Sequence, residues 1–177
     1  MKSRLVILDA NVIIEAFRGD FWNPLIAQYQ IHVTSIVLHG EALYYQDKKG
    51  QRVQIDLNSV VASGKVKEIS ASTKDVLDLE GRVNPTFMDR IDDGEKEALA
   101  LLLSGAYSEF RFCTGDTRAI KALASLNLGA YGISLEELLV KIRLQNRLPH
   151  PSYRKDAFNK KIAEGLQEQS MFLKKEL

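Results

Sequence analysis

The sequence predicts an α/β fold built on a mostly parallel sheet. Two observations carry that prediction. Short apolar runs alternate with segments of helical periodicity along the 177 residues. The runs at 4–8, 31–34 and 110–114 are each followed by a turn or capping residue that opens a helix. With 45% hydrophobic and 27% charged residues, the chain fits one globular domain with a core large enough to fold unaided.

In chain order, Leu5, Val6, Ile7 and Leu8 form a run suited to a strand buried on both faces. Helices are expected at 11–17 and 23–30, and a strand at 31–34. Ser35 is a suitable N-cap for a helix over 36–46, whose apolar stripe is Leu38, Ala42 and Tyr45 at i, i+4 and i+7. Residues 47–71 leave two readings. "QRVQIDL" alternates and "KVKEIS" is strand-like, so the segment is an edge hairpin or an irregular excursion. Helices follow at 72–82 and 94–104, the second wholly apolar over 98–103, as for a helix buried nearly all round. A strand at 110–114 turns through Gly115 into a helix at 116–125. A strand at 128–133 and a helix at 134–147 come next. Pro149 and Pro151 then break the chain before a last helix at 155–174.

Composition excludes several classes. A single cysteine, Cys113, forms no internal disulfide and no CxxC pair, which suits a reducing compartment. Lys2 and Arg4 are followed by too few apolar residues for a signal-peptide core, and no stretch approaches a membrane span, so a cytoplasmic protein without membrane attachment is expected. His32, His39 and His150 have no metal-site spacing, and serine-hydrolase, dinucleotide-binding and P-loop motifs are absent. Residues 141–177 carry nine Lys or Arg against four Asp or Glu, a net +5 that leaves the first 140 residues at −4. An acidic body with a basic tail suits cations held in one place and polyanions beside them, although a solvated helix surface gives the same tail.

Four acidic points stand out. Asp9 in "LVILDANVII" follows a strand, and Asp116 in "FRFCTGDTRAIKAL" follows another. Glu41 in "TSIVLHGEALYY" borders a helical stripe, and "DDGEKEALALLL" puts Asp92, Asp93, Glu95 and Glu97 at one helix start. Capping accounts for Asp9 and Asp116 individually, and Asp92 with Glu95 fits a capping-box spacing. Glu95 and Glu97 lie about 200° apart on an ideal helix. Topology argues for the set: in a parallel α/β sheet, residues beyond the strands' C-terminal ends gather where ligands bind. Carboxylates crowded there repel unless a cation neutralises them, and oxygen-only donors select Mg²⁺ or Mn²⁺ over Zn²⁺.

"ILDANVIIEA", "SIVLHGEALYY", "GEKEALAL", "TGDTRAIKAL" and "YGISLEELL" resemble, in order, the successive motifs of PIN-domain ribonucleases across residues 4–140. The resemblance implies a three-layer α/β/α sandwich with a central, mostly parallel sheet, a PIN-like nuclease domain over 1–147, and Mg²⁺- or Mn²⁺-dependent cleavage of RNA. A basic helical extension over 148–177 is then set apart from the acidic body. Carried over by position, Asp9, Glu41 and Asp116 match the first, second and fourth acidic positions. "GEKEA" is similar to the glutamate pair of flap-endonuclease-like nucleases, which makes Glu95 the first choice for the third position, Glu97 the second and Asp93 an outside candidate. Asp9, Glu41, Glu95, Glu97 and Asp116 are thus the expected metal ligands.

Asn11, Thr114 and Thr117 are placed to orient a water or a phosphate oxygen, or to act only in turns and caps. Arg154, Lys155, Lys160 and Lys161, with Arg18 and Lys121, are candidates for backbone contacts to nucleic acid. The resemblance also admits a toxin of a toxin–antitoxin pair, with an antitoxin-like inhibitor and a homodimer, although the chain is longer than such toxins commonly are. Two alternatives stand beside the nuclease. A haloacid-dehalogenase-like phosphatase also starts from a strand and an Asp, but Asp9-Ala10-Asn11 lacks its DxD. A catalytically inactive PIN-like module binding nucleic acid or protein is the other.

Overall fold

The computed structural model describes residues 5–40, 43–148 and 150–174. The run that opens the chain forms β1 (Leu5–Leu8), followed by α1 (Ala10–Arg18) and α2 (Trp22–Gln28), then β2 (Gln30–Thr34) and α3 (Ser35–His39). A hairpin of β3 (Tyr44–Gln46) and β4 (Arg52–Gln54) leads to α4 (Leu57–Ala62), β5 (Val66–Ile69), α5 (Thr73–Arg82) and α6 (Pro85–Met88). Then come α7 (Asp93–Leu103), β6 (Phe110–Cys113), α8 (Thr117–Ser125), a 3-10 turn at Gly129–Tyr131 and α9 (Leu135–Lys141). Two further 3-10 turns, Gln145–Arg147 and Pro151–Tyr153, precede α10 (Lys155–Gln167) and α11 (Gln169–Phe172).

The central sheet has the order β5-β2-β1-β6. All three pairings are parallel, with Val6 opposite Ile31 and Arg111. Because side chains alternate along a strand, β1 feeds two cores. Val6 and Leu8 join Ile31 and Val33 beneath Ile13, Leu25 and Leu138, whereas Ile7 joins Phe112 beneath Leu99 and Leu123. Helices therefore cover both faces of the sheet. The chain lays β2 and β5 on one side of β1 and β6 on the other, so the order reverses between β1 and β6. The crevice at their C-terminal ends is the switch point where such sheets bind ligands.

Three expectations are corrected, and the open reading of residues 47–71 is decided. The helix predicted over 36–46 stops at His39, capped by Thr34 instead of Ser35. Tyr44 and Tyr45 enter the hairpin instead, with Tyr45 opposite Val53. Aromatic residues favour that pleated pairing, and the Asp47 carboxylate closes the turn by accepting from the Lys49 and Gln51 N–H groups. Glu41 and Ala42 lie outside the described residues. The excursion at 47–71 holds one hairpin strand, a short helix and β5, which is an edge strand of the main sheet. The strand expected at 128–133 is a 3-10 turn with one parallel bridge, Phe112 to Gly132. The helix predicted to reach 147 ends at Lys141, because Arg143 takes the left-handed conformation at φ 58°.

The C-terminal segment is not set apart from the body. Phe158 and Phe172 are buried, and the Ser125 hydroxyl donates to the Gly165 carbonyl at 2.8 Å. Asn84 N–H donates to the Phe172 carbonyl, tying α11 to the start of α6. Among the described residues no helix is long and apolar enough to cross a membrane.

Candidate functional site

Asp9 ends β1 and stands at the N-cap position of α1, yet its side chain makes no cap hydrogen bond. It is buried, 5% exposed, beside the C-terminal end of β6, where its N–H donates to the Cys113 carbonyl at 3.1 Å. The next residue of that strand run, Thr114, lies with its Oγ1 3.2 Å from Asp9 Oδ2 and 3.2 Å from Glu95 Oε1. Thr114 Oγ1 also accepts from the Asp116 N–H at 3.0 Å. Asp116 is a true cap, its Oδ1 accepting from the Arg118 and Ala119 N–H groups. One buried hydroxyl thus joins the Asp9 carboxyl group to that of Glu95 on α7 and, through the backbone N–H, holds the turn that carries Asp116.

Burial pushes the Glu95 carboxyl up to about 8, and Asp9, Asp116 and Asp92 push in the same direction. A hydroxyl has one proton, so Thr114 donates to only one of its two carboxyl neighbours at a time. The network closes when Glu95 is protonated and donates to Thr114, which donates to Asp9 while accepting from the Asp116 N–H. Asp92, at the N-cap position of α7, makes no cap hydrogen bond, so the capping box expected with Glu95 does not form. Its charge is instead one of those felt by Glu95. Sequence reasoning assigned Asp92 only a capping role. The four acids between Asp92 and Glu97, more than capping uses, were the signal for a wider one.

The other expected residues are dispersed. Glu97 is buried with both oxygens engaged: Oε2 accepts from the Ile36 N–H at 2.9 Å, and Oε1 from the Ser70 hydroxyl and Ala71 N–H at 3.1 Å each. It braces the ends of β2 and β5, on the other half of the sheet edge from Thr114. Asp93 is exposed and paired with Lys96. Asn11 and Thr117 are exposed, and Arg18 pairs with Glu15. Lys121 is tied to Glu164 and Glu168.

The extension reaches the site at two points that the sequence did not disclose. A Cβ on Gly115 would stand 2.3 Å from Tyr153 Cε1, so glycine is what lets that ring pack beside Asp116. Burial raises the Tyr153 hydroxyl, as do Glu15 and Asp9. Lys161 Nζ donates to the Gly115 carbonyl at 3.2 Å; its burial lowers its pKa, against the pull of Asp116. Lys160 is exposed, and Arg154 and Lys155 line an open groove of about 720 Å³ with Asn159.

Among the described residues no three Asp, Glu, His or Cys side chains stand converged as a ready-made metal group. The donor chemistry nevertheless fits a hard divalent ion: the groups are oxygen donors, and besides the burial that does most to raise the Glu95 carboxyl, the nearby Asp9, Asp116 and Asp92 raise it further, a negative field that a cation would offset. No family model, curated protein or solved structure matches the chain.

Proposed function

We propose that the chain is a divalent-metal-dependent ribonuclease of the PIN-domain type that hydrolyses phosphodiester bonds in RNA. The observation that carries this reading is the meeting of the Asp9 and Glu95 carboxyl groups on the Thr114 hydroxyl at the switch point of the sheet, with the Asp116 backbone N–H donating to the same oxygen. Asp9 and Glu95 are buried without serving a helix cap, so capping does not account for them. The order of motifs in the sequence supports the PIN-like form of the α/β fold.

Asp9, Glu95 and Asp116 would hold Mg²⁺ or Mn²⁺, which supplies an activated water and charge stabilisation at the phosphate. The chain's own groups do the rest. Thr114 fixes the Asp9 and Glu95 carboxyl groups, capping holds Asp116, and Lys161 secures the Gly115 turn before it. Removing the charge of Asp9 with little change of shape tests the reading. Asp9→Asn should abolish Mn²⁺-dependent cleavage of single-stranded RNA while leaving the thermal melt in place. A variant that cuts as well as the parent sinks the proposal. Turnover of a small phosphomonoester with RNA left intact would favour the phosphatase instead.

A further inference from the structure

Beside the acidic site lies a second feature of a different character. A pocket of about 200 Å³ opens between Phe87 and Arg90 on one wall and Thr117 and Arg118 on the other, with Ile91 and Phe172 inside. Its position is fixed by the site itself: Ile91 immediately precedes Asp92, and Thr117 immediately follows Asp116. The Phe87 ring is half-buried and leans on the buried Phe172, with centroids 5.5 Å apart and planes tilted by 55°. Arg118 donates to the Arg90 carbonyl at 2.6 Å, which joins the two walls at the rim. Both arginines are exposed. At the far end Lys121 is paired with Glu168 at 2.8 Å, so the positive charge of the pocket rests on the arginines.

A held aromatic ring, two guanidinium groups at the rim and a volume below the ~300–1,000 Å³ of drug-sized pockets describe a place for one planar ring carrying a negative neighbour. We propose that the pocket receives one unpaired base of a single-stranded nucleic acid, stacked on Phe87, with an adjoining phosphate at Arg90 and Arg118. Stacking on an aromatic face tolerates any base, and arginine reads the phosphate and not the sequence. A base in a duplex is already stacked on both sides, so the pocket selects single strands. This deepens the nuclease reading and rests on it for the scissile bond, but the binding itself needs no cleavage.

The test is fluorescence anisotropy with the full chain in EDTA, using short labelled RNA and DNA single strands. One nucleotide at a time is replaced by an abasic residue. In the parent, one abasic position should weaken binding roughly tenfold. Phe87→Leu should weaken the intact strand by a similar factor and make that abasic position cost nothing more. Additive losses, a Phe87→Leu change within about twofold of the parent, or no binding by the parent would overturn the proposal. Because Phe87 also packs on Phe172, melting curves accompany the series. Should Phe87→Leu fail to fold, exposed Arg90→Gln decides, with weaker binding and a shallower salt dependence expected and unchanged affinity overturning the idea. The DNA arm shows whether the pocket discriminates the sugar. A chain that binds in this way yet never cuts RNA overturns the nuclease reading alone, and one that cuts yet shows additive losses overturns the pocket alone.

Discussion

Glu95 and Glu97, two residues apart near the start of α7, send their carboxyl groups to opposite halves of the sheet's C-terminal edge. Glu95 meets Thr114 at the end of β6, and Glu97 takes the Ile36 and Ala71 N–H groups beyond β2 and β5. The two glutamates therefore fail differently when replaced. Glu97→Ala leaves two backbone donors without their acceptor and should cost about 3 kcal/mol in urea unfolding. Cleavage per folded molecule should fall far less than in Glu95→Gln, which keeps the fold but removes the one carboxyl of α7 at the switch point that could ionise to hold a cation. Equal stability of Glu97→Ala and the parent would remove Glu97 from its bracing role.

The second prediction follows from the proton on Glu95. Its carboxyl is raised from the ordinary 4.5 to about 8, so the folded chain keeps a proton that the unfolded chain releases. The stability this confers is fully present below pH 4.5 and is lost as the pH rises to about 8. His32 acts with the opposite sign, because burial lowers its pKa and stability grows as the unfolded chain's imidazole loses its proton near 6.5. Both parent and Glu95→Gln carry His32, so the difference between their urea midpoints isolates Glu95. That difference should move in favour of the variant across the window, and Mn²⁺ at its upper end should stabilise the parent more than the variant. A difference independent of pH would contradict the assignment.

The parts of the fold that a linear pattern can encode were legible. β1 and β2 follow from short runs rich in Val and Ile, β6 from the aromatic alternation of Phe110 and Phe112, and α7 from the unbroken apolar stretch at 98–103. The hairpin was misread because Leu38 and Tyr45 share a helical spacing that ends at His39, and period alone does not tell where a helix stops. At the site, Asp9, Asp116 and Thr114 were readable from their place after strands. Spacing does not separate Glu95 from Glu97, since which of them reaches the switch point depends on how α7 is rotated over the sheet. The same limit hid the place of the extension. A Cβ at Gly165 would stand 2.5 Å from the Lys121 carbonyl oxygen, so glycine there lets α10 close on α8, a tertiary contact that no local pattern records.

That contact divides the four basic residues once grouped together. Lys161 reaches the Gly115 carbonyl, whereas Arg154, Lys155 and Lys160 are exposed. If the exposed three track a nucleic-acid backbone, neutralising them should weaken RNA binding at low salt and flatten the slope of log affinity against log salt by about two. Cleavage at saturating RNA should stay near that of the parent. Lys161→Met keeps most of the apolar stem but loses the bond that secures the turn before Asp116, so its effect should appear in turnover at saturation as well as in binding. Lys161→Arg, which retains a donor, should recover part of that loss. A Lys161→Met variant whose only change is a shallower salt slope would return Lys161 to the same role as its exposed neighbours and leave the turn secured by Tyr153 and the Asp116 cap.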